Sequence, residues 1–150
     1  LLNGVFRRTT AARAAVIARA AEIADGEFDT AAPRERWFAP SESRVRDQVG
    51  AWLRSVDRKG YADAYAAFAH GDATYADRVS ELRCPFLAIT GAEDPNSTPE
   101  MSQAMAAAVG GARAVSVPGH KHMVNLTAPE VINAHLMEWL SISVRERQAV

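Results

Sequence analysis

Cys84-Pro85-Phe86-Leu87-Ala88-Ile89-Thr90-Gly91-Ala92-Glu93-Asp94-Pro95 is the stretch that decides the fold of this chain. Phe86 to Ile89 is a short continuous apolar run between Pro85 and Gly91, the pattern of a strand buried on both faces of a parallel sheet. Ser97-Thr98-Pro99-Glu100 then supplies capping chemistry with proline in the first turn, opening a helix that Gly110-Gly111 closes. Ala112 to Val117 reads as the next strand. Thr127 to Glu130 repeats the capping pattern before a helix predicted to turn Ile132, Leu136, Trp139 and Leu140 inward. Strand, helix, strand, helix is the alternation of α/β proteins. Two or three parallel strands with flanking helices make an incomplete layer whose open edge needs a partner, so more sheet is expected than these residues supply.

Upstream the pattern changes to helices. Thr9 or Thr10 can cap a helix whose stripe is Val16, Ile17, Ala20 and Ile23, with Gly26 just past its end. Pro40 and Ser41 open a second helix in which Val49, Trp52, Leu53 and Val56 follow Val45 at offsets of 4, 7, 8 and 11, a helical stripe. Gly60 is expected to interrupt. A third helix carries Tyr61, Tyr65 and Phe68 on one face and stops at Gly71 before Asp72, and an amphipathic turn follows around Tyr75 to Leu82. Leu1-Leu2-Asn3-Gly4 reads like a strand running into a turn, so the sequence is expected to begin mid-domain. The resulting division is 1–4 as the end of a core strand, 5–80 as a helical cap or lid, and 81–150 as a carboxyl-terminal α/β core.

The 150 residues are 48% hydrophobic and 23% charged, with 17 Lys and Arg against 18 Asp and Glu. That balance suits one globular domain and offers no basic field for nucleic acid or anionic lipid, so the expected partner is a small molecule. No apolar run approaches the roughly 20 residues that span a bilayer, and a cytoplasmic protein is expected. The single cysteine, Cys84, excludes an internal disulfide and is expected to be a buried bystander.

The chemistry-bearing residues lie after the two strands. Asp94 follows the first, and His120 and His122 follow the second in Pro118-Gly119-His120-Lys121-His122-Met123. An acid and an imidazole at successive strand ends suit general base catalysis. No G-x-S-x-G nucleophile occurs. Each residue also has a plainer reading. Asp94 before Pro95 is good turn chemistry, and either histidine can be a loop residue satisfied by backbone. The His-x-His pair with Asp94 has the makings of a zinc site, but no third His or Cys lies nearby. Trp37 and Phe38 suit either a pocket wall or a core joining cap to body. The arginines of the first helix suit a solvated face or a carboxylate substrate.

Gly91-x-x-Asp94-Pro95, His122 and Pro129-Glu130 seven residues later resemble the acid and histidine segments of the α/β-hydrolase family. Pro118 to Met123 is similar to that family's P-G-x-G-H-x turn, which aligns His122, not His120, with its histidine. Arg36-Trp37-Phe38 and Tyr61-Ala62-Asp63-Ala64-Tyr65, ahead of Asp72, are similar to the enol-lactonase branch. The resemblance implies a hydrolase of a small carboxylic ester or lactone, with a serine nucleophile and oxyanion hole lying outside these residues. In it His122 is the base and Asp94 its partner, while Trp37, Phe38, His120 and Met123 meet substrate, and no cofactor or metal is needed. It implies equally that the 150 residues are inactive without an amino-terminal half. Dehalogenase, C–C hydrolase and perhydrolase chemistries on the same fold stay open, as does a non-catalytic fragment. Thr127 stands where the family commonly has glutamate, keeping a capping hydroxyl without its charge.

Overall fold

In the computed structural model, which describes residues 1–71 and 73–148, the apolar run after Pro85 becomes β1 (Leu87–Gly91), buried throughout. β2 (Arg113–Val117) lies parallel to it, with Leu87 opposite Arg113 and Gly91 opposite Val117. On the other side Leu2 forms a parallel bridge with Ile89. There Ile89 N–H donates to the Leu1 carbonyl and Asn3 N–H to the Ile89 carbonyl, both at 2.9 Å. β1 is therefore the inner strand, hydrogen-bonded along both edges, and this is why its sequence shows no polar alternation.

Two layers cover the sheet. The chain before β1 forms α1 (Thr10–Ala24), α2 (Ala31–Trp37), a 3-10 turn at Pro40–Glu42, α3 (Ser43–Ser55), α4 (Arg58–Gly71) and a 3-10 turn at Ala76–Glu81. After β1 come α5 (Pro99–Ala108), the short α6 (Val124–Thr127) and α7 (Pro129–Gln148). One sheet face packs Leu87, Ile89 and Val117 against Val124 of α6, Ile132 of α7 and Ala128 between the two helices. Across the sheet, Met105 of α5 packs with Phe6 and Ala76, and with half-buried Phe86. A third cluster holds Phe38, Val49 and Leu53 of the helical layer against Met123 and Leu126. Each fully buried aliphatic or aromatic side chain contributes about 1.5–3 kcal/mol, so this last cluster fixes the helices over the loop that follows β2. Among the described residues no helix is long and apolar enough to cross a membrane.

Several expectations need correction. Gly60 does not interrupt a helix; it sits in the first turn of α4, where Asp57 accepts its N–H at 2.6 Å and so caps the turn. α2 had no periodic signal, because its seven residues hold a single apolar ridge, and its start is set by Asp29 accepting from Ala31 and Ala32 N–H. Trp52 lies at the edge of its stripe and is exposed, whereas Val49 and Leu53 are buried. Leu136 and Leu140 are also exposed, and Leu136 faces a groove of about 90 Å³ between α7 and Leu1-Leu2. Cys84 is exposed, since the bend before Pro85 precedes the sheet instead of entering it. Asp72 lies outside the described residues.

Candidate functional site

The carboxyl ends of β1 and β2 are pulled together by their own backbone. Ala92 N–H donates to the Val117 carbonyl at 2.9 Å and Glu93 N–H to the His120 carbonyl at 3.0 Å. This approach requires Gly91: a Cβ there would lie 2.2 Å from the Lys121 oxygen and 2.3 Å from that of His120. Gly119, at φ +76, turns the second loop back over the first.

Asp94 then performs both tasks its sequence suggested, one with each oxygen. Oδ1 accepts from the N–H groups of Asn96 (2.8 Å) and Ser97 (3.1 Å), closing the turn. Oδ2 lies 2.8 Å from Nδ1 of His122 and 3.3 Å from the Thr90 hydroxyl. The Thr90 hydroxyl donates at 2.7 Å to the Ser97 carbonyl, which holds the turn onto β1. The carboxylate is wholly buried, and the imidazole side chain is 21% exposed. A carboxylate oxygen accepts, so Nδ1 serves as the donor in this hydrogen bond and Nε2 is left on the far edge of the ring. The His122 carbonyl accepts from the Asn3 side-chain amide, and the Ser97 hydroxyl donates to the Asn3 carbonyl at 2.8 Å. Asn3 thus ties the first strand segment to both loops.

Above His122 lies a cavity of about 730 Å³ that reaches up into the helical layer. Trp37 forms one wall, its ring centroid 5.7 Å from that of His122. Phe28, Tyr61, Tyr65 and Phe68 form another, in successive ring contacts of 4.9, 6.0 and 5.7 Å. Burial of the Tyr61 hydroxyl pushes its pKa up, so it stays a neutral donor or acceptor. Such an apolar cleft with a few convergent polar groups is the usual form of a small-molecule site.

Of the other sequence-predicted residues, Phe38 is 2% exposed and lies in the cluster beneath Trp37, with Met123 packed against it. Neither lines the cavity, and neither does His120. His120 instead points away from His122: its Nδ1 lies 2.8 Å from the Thr127 hydroxyl and 3.3 Å from Glu42 Oε1. Thr127 therefore spends its hydroxyl on His120. Glu42 also accepts from Ala39 N–H at 2.7 Å. The two imidazoles face different carboxylates, so His120, His122 and Asp94 do not converge on one point as zinc ligands would. Sequence reading missed Asn3, Thr90 and Glu42. Of these only Glu42 left a trace, as the glutamate three residues after Ala39 in a capping position.

Residues 1–135 match the model of the "Alpha/beta hydrolase family". The (E)-2-((N-methylformamido)methylene)succinate hydrolase of Acinetobacter baylyi is 46% identical over 142 residues, which are 93% of this chain and 54% of that protein. A hydrolase from Pseudomonas aeruginosa PA01 superposes with a TM-score of 0.81 at 24% identity, covering 93% of this chain and 54% of that one. The enol-lactonase of Burkholderia xenovorans LB400 does so with a TM-score of 0.79 at 23% identity, covering 94% and 55%. The chain spans about half the length of the relatives it matches. With 135 of its 150 residues covered by the family model, the chain belongs to the alpha/beta hydrolase family.

Proposed function

We propose that these residues supply the acid and the base of a hydrolase acting on a small carboxylic ester or lactone, with Asp94 and His122 in those roles. The observation that carries the reading is the 2.8 Å hydrogen bond from His122 Nδ1 to a wholly buried Asp94, beside a cavity that His122 lines. In this reading Nε2 takes the proton of a serine hydroxyl as its oxygen bonds to the acyl carbon. It then gives that proton to the leaving alcohol as the acyl–oxygen bond breaks. Water repeats the sequence to free the acid. Asp94 stabilises the imidazolium and fixes its tautomer. The serine and the oxyanion hole would belong to a part of the fold outside residues 1–150, which contain no G-x-S-x-G. The exposed apolar face of Leu1, Leu2 and Leu136 suits the seating of that part.

A second reading keeps the residues and changes the bond. The Acinetobacter baylyi relative is named for an N-methylformamido compound, and on this reading the bond cleaved is an amide, with an amine as the leaving group.

In the full-length protein, p-nitrophenyl acetate turnover and labelling by a fluorophosphonate test the mechanism. His122→Ala should lower both by roughly a thousandfold or more. Unchanged turnover in that variant would end the assignment.

A further inference from the structure

Asn3 stands just past the bridge that Leu2 makes with β1. Its N–H donates to the Ile89 carbonyl at 2.9 Å, which fixes its main chain to the inner strand. From that anchor it reaches both loops. Its carbonyl accepts the Ser97 hydroxyl at 2.8 Å, and Ser97 N–H is one of the two donors on Asp94 Oδ1. Its side-chain amide donates to the carbonyl of His122. One residue thus touches His122 directly and Asp94 through Ser97 alone.

The His122 carbonyl lies outside the ladder of α6. The Met123 carbonyl accepts from Leu126 and Thr127 N–H, and the Val124 carbonyl from Ala128 N–H. Elsewhere on this loop, Met123 N–H and Lys121 Nζ bond to carbonyls of α2 at 3.4 and 3.5 Å, and Glu93 N–H holds the His120 carbonyl at 3.0 Å. The bond to His122's own peptide comes from Asn3, and the orientation of that peptide directs the Cα–Cβ bond that aims the imidazole.

Asn3 holds this place at two local costs. Its φ is +48, a left-handed conformation that glycine adopts freely and that Arg7 alone shares among the described non-glycine residues. Its Oδ1 is buried and accepts no hydrogen bond among the described residues, a penalty that glycine would avoid. The amide cannot simply be turned over, because the His122 carbonyl needs a donor and only the nitrogen end is one. What distinguishes asparagine from glycine at this position is therefore the hydrogen bond to His122, and a costly local conformation beside a site points to a role in it.

We infer that Asn3 is a positioning residue for His122: its amide sets the register of the imidazole against Asp94, while its carbonyl ties the Asp94 turn to the same strand end. The role of His122 rests on the hydrolase reading; the positioning rests on these hydrogen bonds.

The test uses the full-length protein, with p-nitrophenyl acetate turnover and the proton NMR resonance of the His122 Nδ1 hydrogen, identified by its loss in His122→Ala. Asn3→Gly keeps the backbone conformation and removes the donor. Its kcat should fall roughly tenfold to a hundredfold, as for a reacting group displaced by about 1 Å, with KM changed by less than about twofold. The Nδ1 resonance should move upfield or broaden as the bond to Asp94 loosens. Asn3→Asp keeps the shape but sets an oxygen against the His122 carbonyl; it should lose at least as much, and it decides the matter if the glycine variant does not fold. Arg7→Gly, the same exchange at the other left-handed residue, should leave kcat and the resonance unchanged. Wild-type kcat in the Asn3 variants, or a resonance that does not move in them, overturns the inference. Turnover that survives His122→Ala defeats the hydrolase reading instead, and the resonance then decides the positioning by itself.

Discussion

Gly91 passes beneath His120 so closely that the smallest side chain at that position would overlap the His120 carbonyl at 2.3 Å. The contact is backbone on backbone, with no flexible side chain to yield, and it sets the spacing between the Asp94 turn and the His122 loop. Gly91→Ala should therefore destabilise the protein by about 1–3 kcal/mol and weaken turnover as well. Gly110→Ala, where nothing lies within 4 Å of the added carbon, is the matched control. Urea denaturation of both variants checks this; equal stabilities would mean that the loops slide apart freely.

Asp94→Asn keeps the turn but offers the wrong group to Nδ1. The two backbone N–H donors at Oδ1 persist, whereas an amide facing His122 can stabilise neither the Nδ1–H tautomer nor the imidazolium. The expected result is a fall in kcat of roughly 10⁴-fold with little change in melting temperature, the size of loss found in serine proteases for the same substitution. A loss in kcat below tenfold would remove Asp94 from the mechanism.

His120 and Glu42 join the helical layer to the loop beside His122, and the pair is only partly exposed. Glu42→Gln and His120→Ala should each cost about 1–3 kcal/mol, with a coupling of about 0.5–3 kcal/mol in a double-mutant cycle. His120→Ala should reduce turnover far less than His122→Ala. Additive effects would show that Glu42 and His120 do not act on each other.

Phe38 and Trp37 are neighbours with different work. Phe38→Ala empties a site that is 2% exposed and should lower stability by about 3–5 kcal/mol. Trp37→Ala removes a cavity wall and should act mainly by raising KM. Chemical denaturation and steady-state kinetics on the same two variants separate the effects. If Trp37→Ala proves the more destabilising of the two, the cavity has been assigned the wrong wall.

The parts legible in the sequence were those with strong local signals. The apolar run Leu87 to Ile89, the Thr98 cap and the two glycines after α5 give the strand–helix–strand unit directly, and Asp94 and His122 could be found because each follows a strand. The helical layer was harder. α2 is too short to show a period, and Gly60 looked like a breaker because the acceptance of its N–H by Asp57 is invisible without coordinates. Leu136 and Leu140 fit a buried stripe by spacing, yet burial depends on what packs opposite, and across the groove from Leu136 lies the short segment Leu1-Leu2. The direction of His120 was also beyond sequence reading. Two residues apart in an irregular loop, the imidazoles have no fixed phase, and tertiary partners alone send one to Asp94 and the other to Glu42.

Those partners have a mechanical meaning. Met123 N–H donates to the Trp37 carbonyl at 3.4 Å, Lys121 Nζ lies 3.5 Å from the Glu35 carbonyl, and Glu42 reaches His120. The cavity roof is thus riveted to the histidine loop along its Trp37 margin. A ligand forcing entry past Trp37 would wrench His122 out of register with Asp94, so the Trp37 margin is the fixed edge of the cavity.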